Sequence, residues 1–428
     1  MDRELKRSTE QLLLEFYERL PIPLHRRNMK IVELPKKIST ILGMRRIGKS
    51  HLLYQRINEL LETGVTREQI YYLNLEDDRL PEFDKGTLGE LIDGFYELYP
   101  QNHQRHCYLF LDEVQNAPDW SKLMRRLHDT KDVSLYLSGS SARLLSKEIA
   151  TELRGRAIST EVWPYSLSEF LQASHLPKVA AGPMSPRARD EYLALLRDYL
   201  LKGGFPEPID YSEIDRRRVH QDYVSVTILR DILERHEVKN EHLVRYLIKF
   251  ALGNTGKLIT FNKLFHDLQS QGYKIGKSTI YEYFGYITDC YLIALIPLYS
   301  ESRRKQESNP RKVYAVDTGL ARSHMIGITQ NLGRLFETLV YLDLRRHGCE
   351  EVYYYTTESG KEVDFIAHGF DGRLHLMQVC YDIQEKDTFQ REQNALNEAE
   401  KELGVKGLIV TRENYLDFLA SFETNDHS

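Results

Sequence analysis

Between Ile41 and Leu53 the chain reads ILGMRRIGKSHLL, with Gly43, four residues, then Gly48, Lys49 and Ser50. This spacing suits a backbone loop that closes around phosphate oxygens, because glycine removes the Cβ that would block the N–H groups and a following helix adds its positive dipole end. In this reading Lys49 reaches the β and γ phosphates of ATP and Ser50 ligates Mg²⁺, while Gly43, Arg45, Arg46, Ile47, Gly48 and His51 complete the cradle. The alternative is a glycine-containing strand-to-helix turn with a stray lysine. A second group lies in CYLFLDE, residues 107 to 113, where Asp112 and Glu113 follow an apolar run. Asp112 would hold Mg²⁺ through water and Glu113 would orient or deprotonate the attacking water, since phosphoryl transfer needs positioning and charge neutralisation above all; otherwise the pair is a solvated strand end. A third group, Ser138 to Ser141, ends VSLYLSGSSA. A hydroxyl there, Ser138 first, either senses the γ-phosphate or belongs to a turn.

The flanking segments decide whether these residues can meet. KISTIL before the loop is β-branched and apolar, and SHLLYQRINELLE after it has helical apolar spacing. QIYYLNLEDD, CYLFLDE and VSLYLSGSSA read as strands, separated by helices near residues 88 to 98 and at LMRRLHD. Such alternation predicts an α/β fold, a doubly wound parallel sheet with ligands at the strands' carboxyl ends. Residues 2 to 20 form an amphipathic leader helix. Beyond WPYSLSEF the pattern is mainly helical to about 253, and residues 241 to 300 read as two or three helices closing into YLIALIPLYS. From Lys312 the short strands KVYAVD, EVYYYTT, EVDFIAH, LHLMQVC and KGLIVT alternate with helices. The expected domains are 1–165, an ATPase core; 166–240, a helical lid or linker; 241–310, helix-turn-helix; and 311–428, a further α/β domain.

The runs LFLDEVQNAPDWSKLMRRLHD, LSGSSARLLSKEIATELRGRAISTEVWPYSLSEF and YLLKGGFPEPI resemble the prokaryotic AAA-family ATPases that carry an uncharacterised C-terminal region. The resemblance extends over nearly the whole chain and implies an AAA-type P-loop core that hydrolyses ATP with Mg²⁺. It puts Ser138 to Ser140 at the sensor position and makes Arg154 and Arg156 candidates for an arginine finger, in cis or toward a neighbouring subunit of a homo-oligomer. It also implies a winged helix over residues 255 to 300, where Lys274, Lys277, Ser278 and Tyr281 fall near the start of the second helix. Nearby, ESRRKQESNPRK carries Arg303, Arg304, Lys305, Arg311 and Lys312, either a wing that contacts DNA phosphates or a solvated loop. In the C-terminal region Glu337, Asp364 and Gln378 resemble the restriction-endonuclease-like PD-(D/E)xK arrangement of Mg²⁺-binding acids. Cys380 stands where that family keeps a lysine, and a thiol cannot supply a fixed positive charge. Cutting activity is therefore expected to be lost or weak, with Lys361 or Lys386 as candidates to substitute in space.

Composition bounds these readings. The 428 residues carry a formal charge of -5, so no global nucleic-acid signature exists and DNA contact would depend on local basic patches. Cys107, Cys290, Cys349 and Cys380 are scattered without metal-ligand spacing, and no run of about 18 apolar residues offers a membrane span. The charged opening MDRELKRSTEQ lacks a signal-peptide core, which points to the cytoplasm. Two functions stand: an ATP-dependent, DNA-associated enzyme, or a nucleotide-dependent switch or assembly protein that acts on a protein partner. An active nuclease is a third and less favoured reading.

Overall fold

The computed structural model describes residues 3–140, 153, 155–236, 238, 240–325, 331–369, 372–383 and 386–423. Two compact units follow one another along the chain, Met1–Val162 and Trp163–Ser428.

In the first unit β1 (Ile38–Leu42), β2 (Ile70–Asn74), β3 (Cys107–Asp112), β4 (Val133–Gly139) and β5 (Ala157–Glu161) form one parallel sheet in the order β2-β3-β4-β1-β5. All five residues of β1 are buried, as a central parallel strand with helices on both faces requires. On neighbouring strands Phe110 and Tyr136 stack with ring centroids 4.4 Å apart. The helices of this unit are α1 (Arg3–Glu18), α2 (Lys49–Glu62), α3 (Thr87–Leu98) and α4 (Trp120–Thr130). Leader helix α1 is fastened to β2, with Phe16 stacked on Tyr72 at 4.7 Å and the Tyr17 hydroxyl donating to the Ile70 carbonyl at 2.8 Å. The expected α/β class and doubly wound sheet are present. Strand β5 was not legible beforehand, because AISTE mixes polar with apolar residues on an edge that is only half covered.

The second unit begins with α5 (Leu167–Ala173), α6 (Pro186–Lys202), α7 (Glu213–Thr227) and α8 (Glu241–Gly253). There follow β6 (Lys257–Ile259), α9 (Phe261–Ser270), α10 (Lys277–Asp289), β7 (Ile293–Ile296), α11 (Arg303–Ser308), β8 (Arg311–Ala315) and α12 (Thr318–His324). Strands β6, β8 and β7 form an antiparallel sheet with β8 in the centre, so backbone pairing crosses the expected 310/311 boundary. The basic stretch expected as a loop is partly helical: α11, capped by Ser302, carries Arg303, Arg304 and Lys305 exposed. Lys312, counted with them as a phosphate contact, is instead buried at 1% exposure.

The chain ends with α13 (Leu332–Arg346), β9 (Val352–Thr356), β10 (Glu362–His368), β11 (Leu374–Cys380), α14 (Lys386–Leu403), β12 (Gly407–Thr411) and α15 (Tyr415–Glu423). Its sheet runs β12-β11-β10-β9, parallel between β11 and β12 and antiparallel elsewhere. Residues Pro297 to Tyr299 join it to the three-stranded sheet, since the amide of Tyr299 donates to the Tyr354 carbonyl at 2.7 Å and the amide of Tyr354 donates to the Pro297 carbonyl at 3.1 Å.

Just after β8, the buried Asp317 caps α12. One carboxylate oxygen accepts the Leu320 amide at 2.7 Å and the other accepts the Gly204 amide at 2.6 Å. Asp317→Ala strands both donors in a dry interior, and each buried unmet donor costs about 1–3 kcal/mol. We therefore expect a loss of roughly 2–4 kcal/mol in urea denaturation, with a smaller loss for Asp317→Asn, which keeps one acceptor.

Candidate functional site

Strand register brings the sequence-marked residues of the first unit to one edge. Leu42 pairs with Gly139 and Leu111 with Leu137, so the loop after β1, the acids that end β3 and the serines that end β4 lie at the same level. Asp112 is not on the strand next to β1. Strand β4 intervenes, and Ser138 fills the gap.

The turn from β1 into α2 is built by glycine. A Cβ on Gly43 would meet the Val162 carbonyl oxygen at 2.6 Å, so a side chain there would push the loop off its neighbour. Gly48 has φ 101°, a left-handed conformation that suits glycine, and with no side chain it gives the head of α2 no side-chain cap. Lys49, the first helical residue, folds back and is 5% exposed. Its ammonium lies 3.1 Å from the Gly43 carbonyl, 3.2 Å from the Met44 carbonyl and 3.1 Å from Glu113 Oε1. Ser50 and His51 sit in the first turn, half-buried and exposed respectively. Arg45 pairs with Glu76 at 2.7 Å, and Ile47 is buried with its carbonyl accepting from the Arg27 guanidinium at 3.4 Å. Arg46 is exposed, with φ 66°.

Glu113 has φ 54°, and a non-glycine residue in that region costs on the order of 1 kcal/mol, a strain found at residues whose side chain must be aimed. Burial opposes its charge, but Lys49 and then Arg45 hold its carboxyl below the usual range. Gln115 donates to its other oxygen at 2.5 Å. The Ser138 hydroxyl donates to Asp112 Oδ1 and accepts the Glu113 amide at 2.9 Å, so it ties the two acids together. Asp112 Oδ2 accepts from Tyr72 at 3.0 Å, and the Tyr72 and Tyr54 hydroxyls lie 2.9 Å apart. Ser50 and Asp112 present hard oxygen donors of the kind Mg²⁺ takes, and each engaged carboxylate oxygen keeps a further lone pair for a metal-bound water.

Arg154 lies outside the described residues. Arg156 precedes β5, and its guanidinium pairs with Asp129 at 2.9 Å and 3.2 Å. The Arg156 carbonyl accepts from Ile38, the first residue of β1. It therefore stands at the amino ends of the strands, about 16 Å by strand rise from the end of β5 that flanks Leu42, and cannot reach the loop of its own chain. The cis reading of this arginine is corrected accordingly. A cleft of about 660 Å³ lined by Lys37, His106, His128, Asp129 and Lys131 lies at that same remote end.

Tyr72, Gln115 and Arg27 were missed. Two adjacent tyrosines in IYYLN point to opposite faces of β2, and the sequence does not tell which of the two, Tyr71 or Tyr72, reaches the acids.

A model of the AAA domain matches residues 35–171, and two domains of unknown function, DUF8612 and DUF4143, match 193–332 and 332–422. An uncharacterised protein of Methanocaldococcus jannaschii is 33% identical over 395 residues, covering 91% of this chain and 85% of the relative. The chain belongs to the prokaryotic AAA-family ATPases that carry an uncharacterised C-terminal region. An uncharacterised protein of Haemophilus influenzae is 30% identical to this AAA-family chain over 356 residues, covering 81% of it and 83% of the relative. Among solved structures, a Walker-type ATPase of Pyrococcus abyssi aligns with TM-score 0.41 and 15% identity over 76% of this chain and 95% of its own. The Aeropyrum pernix ORC1 protein in complex with DNA aligns at 0.31 and 14%, over 75% and 91%.

In the second unit of this AAA-family chain, Lys274, Lys277, Ser278 and Tyr281 are exposed around the head of α10. The Lys277 ammonium lies 5.7 Å from the centre of the Tyr281 ring. A separate cluster of acids surrounds the buried Lys312. Its ammonium is 2.8 Å from Glu337, 2.6 Å from Glu362 and 2.7 Å from Asp364. The register of β10 against β9 slips between Val363 and Ile366, and such a bulge re-aims the Asp364 side chain that it contains. Gln378 donates to Asp364 Oδ2 at 2.9 Å and to Glu392, while its own oxygen accepts the Asp364 amide at 3.2 Å. The glutamine oxygen thus already accepts a backbone donor. Lys361, a candidate replacement for the lysine that Cys380 displaces, pairs with Glu398 at 2.7 Å, and the Lys386 side chain lies outside the described set. The lysine among the acids is Lys312, which heads KVYAV beside Arg311 and which the sequence pattern grouped with the basic stretch before it.

Burial raises the Glu337 carboxyl to about 7, against the opposing pull of Lys312. A folded-state pKa above the ordinary 4.5 means that the stability tied to this proton is complete below pH 4.5 and lost as pH rises through 7. The stability difference between wild type and Glu337→Gln is expected to fall across pH 4.5 to 7 and then flatten, as measured by urea denaturation at stepped pH.

Proposed function

We propose that this chain hydrolyses ATP at the Gly43–Ser50 loop and couples hydrolysis to DNA contacts made by the second unit. The first half is carried by the placement of Lys49, whose three N–H donors rest on two loop carbonyls and on Glu113. When ATP enters, the N–H groups at the head of α2 take phosphate oxygens, and Lys49 turns from the carbonyls to the β and γ phosphates. That exchange frees Glu113 from its ion pair to align the attacking water and accept its proton. Water oxygen bonds to the γ-phosphorus as the bond to the bridging oxygen breaks, leaving ADP and phosphate. Mg²⁺ held by Ser50 and, through water, by Asp112 would neutralise charge on the β and γ oxygens. Ser138 keeps the two acids in step through its paired hydrogen bonds.

For the DNA half, support comes from the helix-turn-helix of α9 and α10 flanked by the β6-β8-β7 sheet, read as a winged helix. Lys274, Lys277, Ser278 and Tyr281 contact DNA together with Arg303, Arg304 and Lys305 on α11, the lysines and arginines through phosphates. The unit then divides into a helical lid, this winged helix with β8 included, and a PD-(D/E)xK-like domain without robust cutting activity. Arg156, remote from its own loop, acts as a finger only toward a neighbouring copy in a homo-oligomer.

Lys49→Ala is expected to weaken ATP binding roughly tenfold or more, since it removes charge-assisted bonds worth about 1.5–3 kcal/mol each. Glu113→Gln should bind ATP normally in calorimetry yet turn over about 10²–10⁴-fold more slowly; turnover at the wild-type rate would remove Glu113 from the mechanism. Joint replacement of Lys274 and Lys277 by alanine should flatten the dependence of log K on log salt by about 2 for duplex DNA. Hydrolysis stimulated by a protein fraction but by no nucleic acid would select the switch reading.

A further inference from the structure

Lys312 sits where three elements converge: its own strand β8, helix α13 through Glu337, and the bulged strand β10 through Glu362 and Asp364. A lysine ammonium has three N–H donors and no more. Here each donor meets a separate carboxylate, at 2.6 to 2.8 Å. No donor remains for a phosphate oxygen, and at 1% exposure the ammonium does not reach the surface. Two of these carboxylates have further partners behind them. Asp364 Oδ2 accepts from Gln378 and from the Val379 amide at 2.9 Å each, and Glu337 Oε1 accepts from Tyr314 at 2.6 Å.

We propose that the Lys312 ammonium is the resident cation of the C-terminal acidic pocket, occupying the position a divalent metal would take, so that the pocket pins β8 to β10 and α13 without metal. The buried Asp364, Glu337 and the partly exposed Glu362 would repel one another as anions around one centre, and a positive charge at that centre offsets the repulsion. A lysine delivers the charge from inside the chain, independent of ion concentration, and its stem fixes which strand the acids hold. Separations of 2.6 to 2.8 Å are close to the 2.3–2.6 Å of Ca²⁺–oxygen bonds and well above the 2.0–2.1 Å of Mg²⁺. Removal of the ammonium therefore leaves a cage of the size and charge for Ca²⁺ or, after slight contraction, Mn²⁺.

Full-length, nucleotide-free protein is titrated with Ca²⁺ and with Mn²⁺, following bound ion by calorimetry and Tm by thermal denaturation. Wild type and Asp364→Asn should give the same uptake. Lys312→Ala should have a lowered Tm and should gain one additional ion per chain together with a recovery of Tm, and Lys312→Ala combined with Asp364→Asn should lose both gains. Wild type taking up an ion that Asp364→Asn loses would overturn the proposal, as would folded Lys312→Ala that takes up none. If Lys312→Ala does not fold, wild type compared with Asp364→Asn and with Glu362→Gln still decides: equal uptake supports a resident ammonium, and a lost ion refutes it.

Discussion

The register of three parallel strands is the constraint on which the nucleotide site depends. With Ile41 beside Ser138 and Leu111 beside Leu137, the loop, the acid pair and the serine reach the carboxyl edge together. A slip of one residue in β3 would send Asp112 to the other face of the sheet and separate it from Ser138. Packing accompanies the register, with β1 buried throughout and Phe110 stacked on its register partner Tyr136 across β3 and β4. The Ser138 hydroxyl then turns register into chemistry by bonding one acid through its side chain and the other through its backbone.

Among the described residues two lysines are buried, with opposite fates. Lys49 rests on two carbonyls and one carboxylate, so its surroundings carry less charge than the ammonium could satisfy, and phosphate oxygens can outcompete the neutral partners. Lys312 rests on three carboxylates, and burial, which by itself works against its charge, is overcome by Asp364 and Glu337, which hold the ammonium well above its ordinary range. The difference lies in the partners, because a buried charge is mobile only where something of at least equal charge can replace what it leaves. One lysine is poised to exchange and the other is locked.

The locked lysine also explains why the second unit is continuous across its sheets. Strand β8 is central to the three-stranded sheet, Lys312 carries that strand into the acids of β10 and α13, and the Tyr299–Tyr354 pairing joins the two sheets by backbone. Stacking of Tyr314 on Tyr341 at 4.7 Å adds an apolar contact between β8 and α13. A boundary drawn at 310/311 from the pattern of strands alone cuts through these bonds.

Local pattern was enough to read the glycine loop, the apolar strands with their terminal acids and the α/β alternation, because each is a property of neighbouring residues: a glycine where N–H groups must approach, a β-branched run where a strand is covered on both faces. The same holds for the absence of the expected lysine at Cys380. Beyond the reach of pattern were the pairings between residues distant in the chain. That Ser138 serves the acids, that Tyr72 caps Asp112, that Arg156 stands at the far ends of the strands, and that Lys312 rather than Lys361 enters the acidic pocket all depend on strand order and on a bulge in β10. Sequence spacing specifies which groups a segment offers, whereas long-range packing selects which of them meet, and hydrogen bonds and charges act over only a few ångströms.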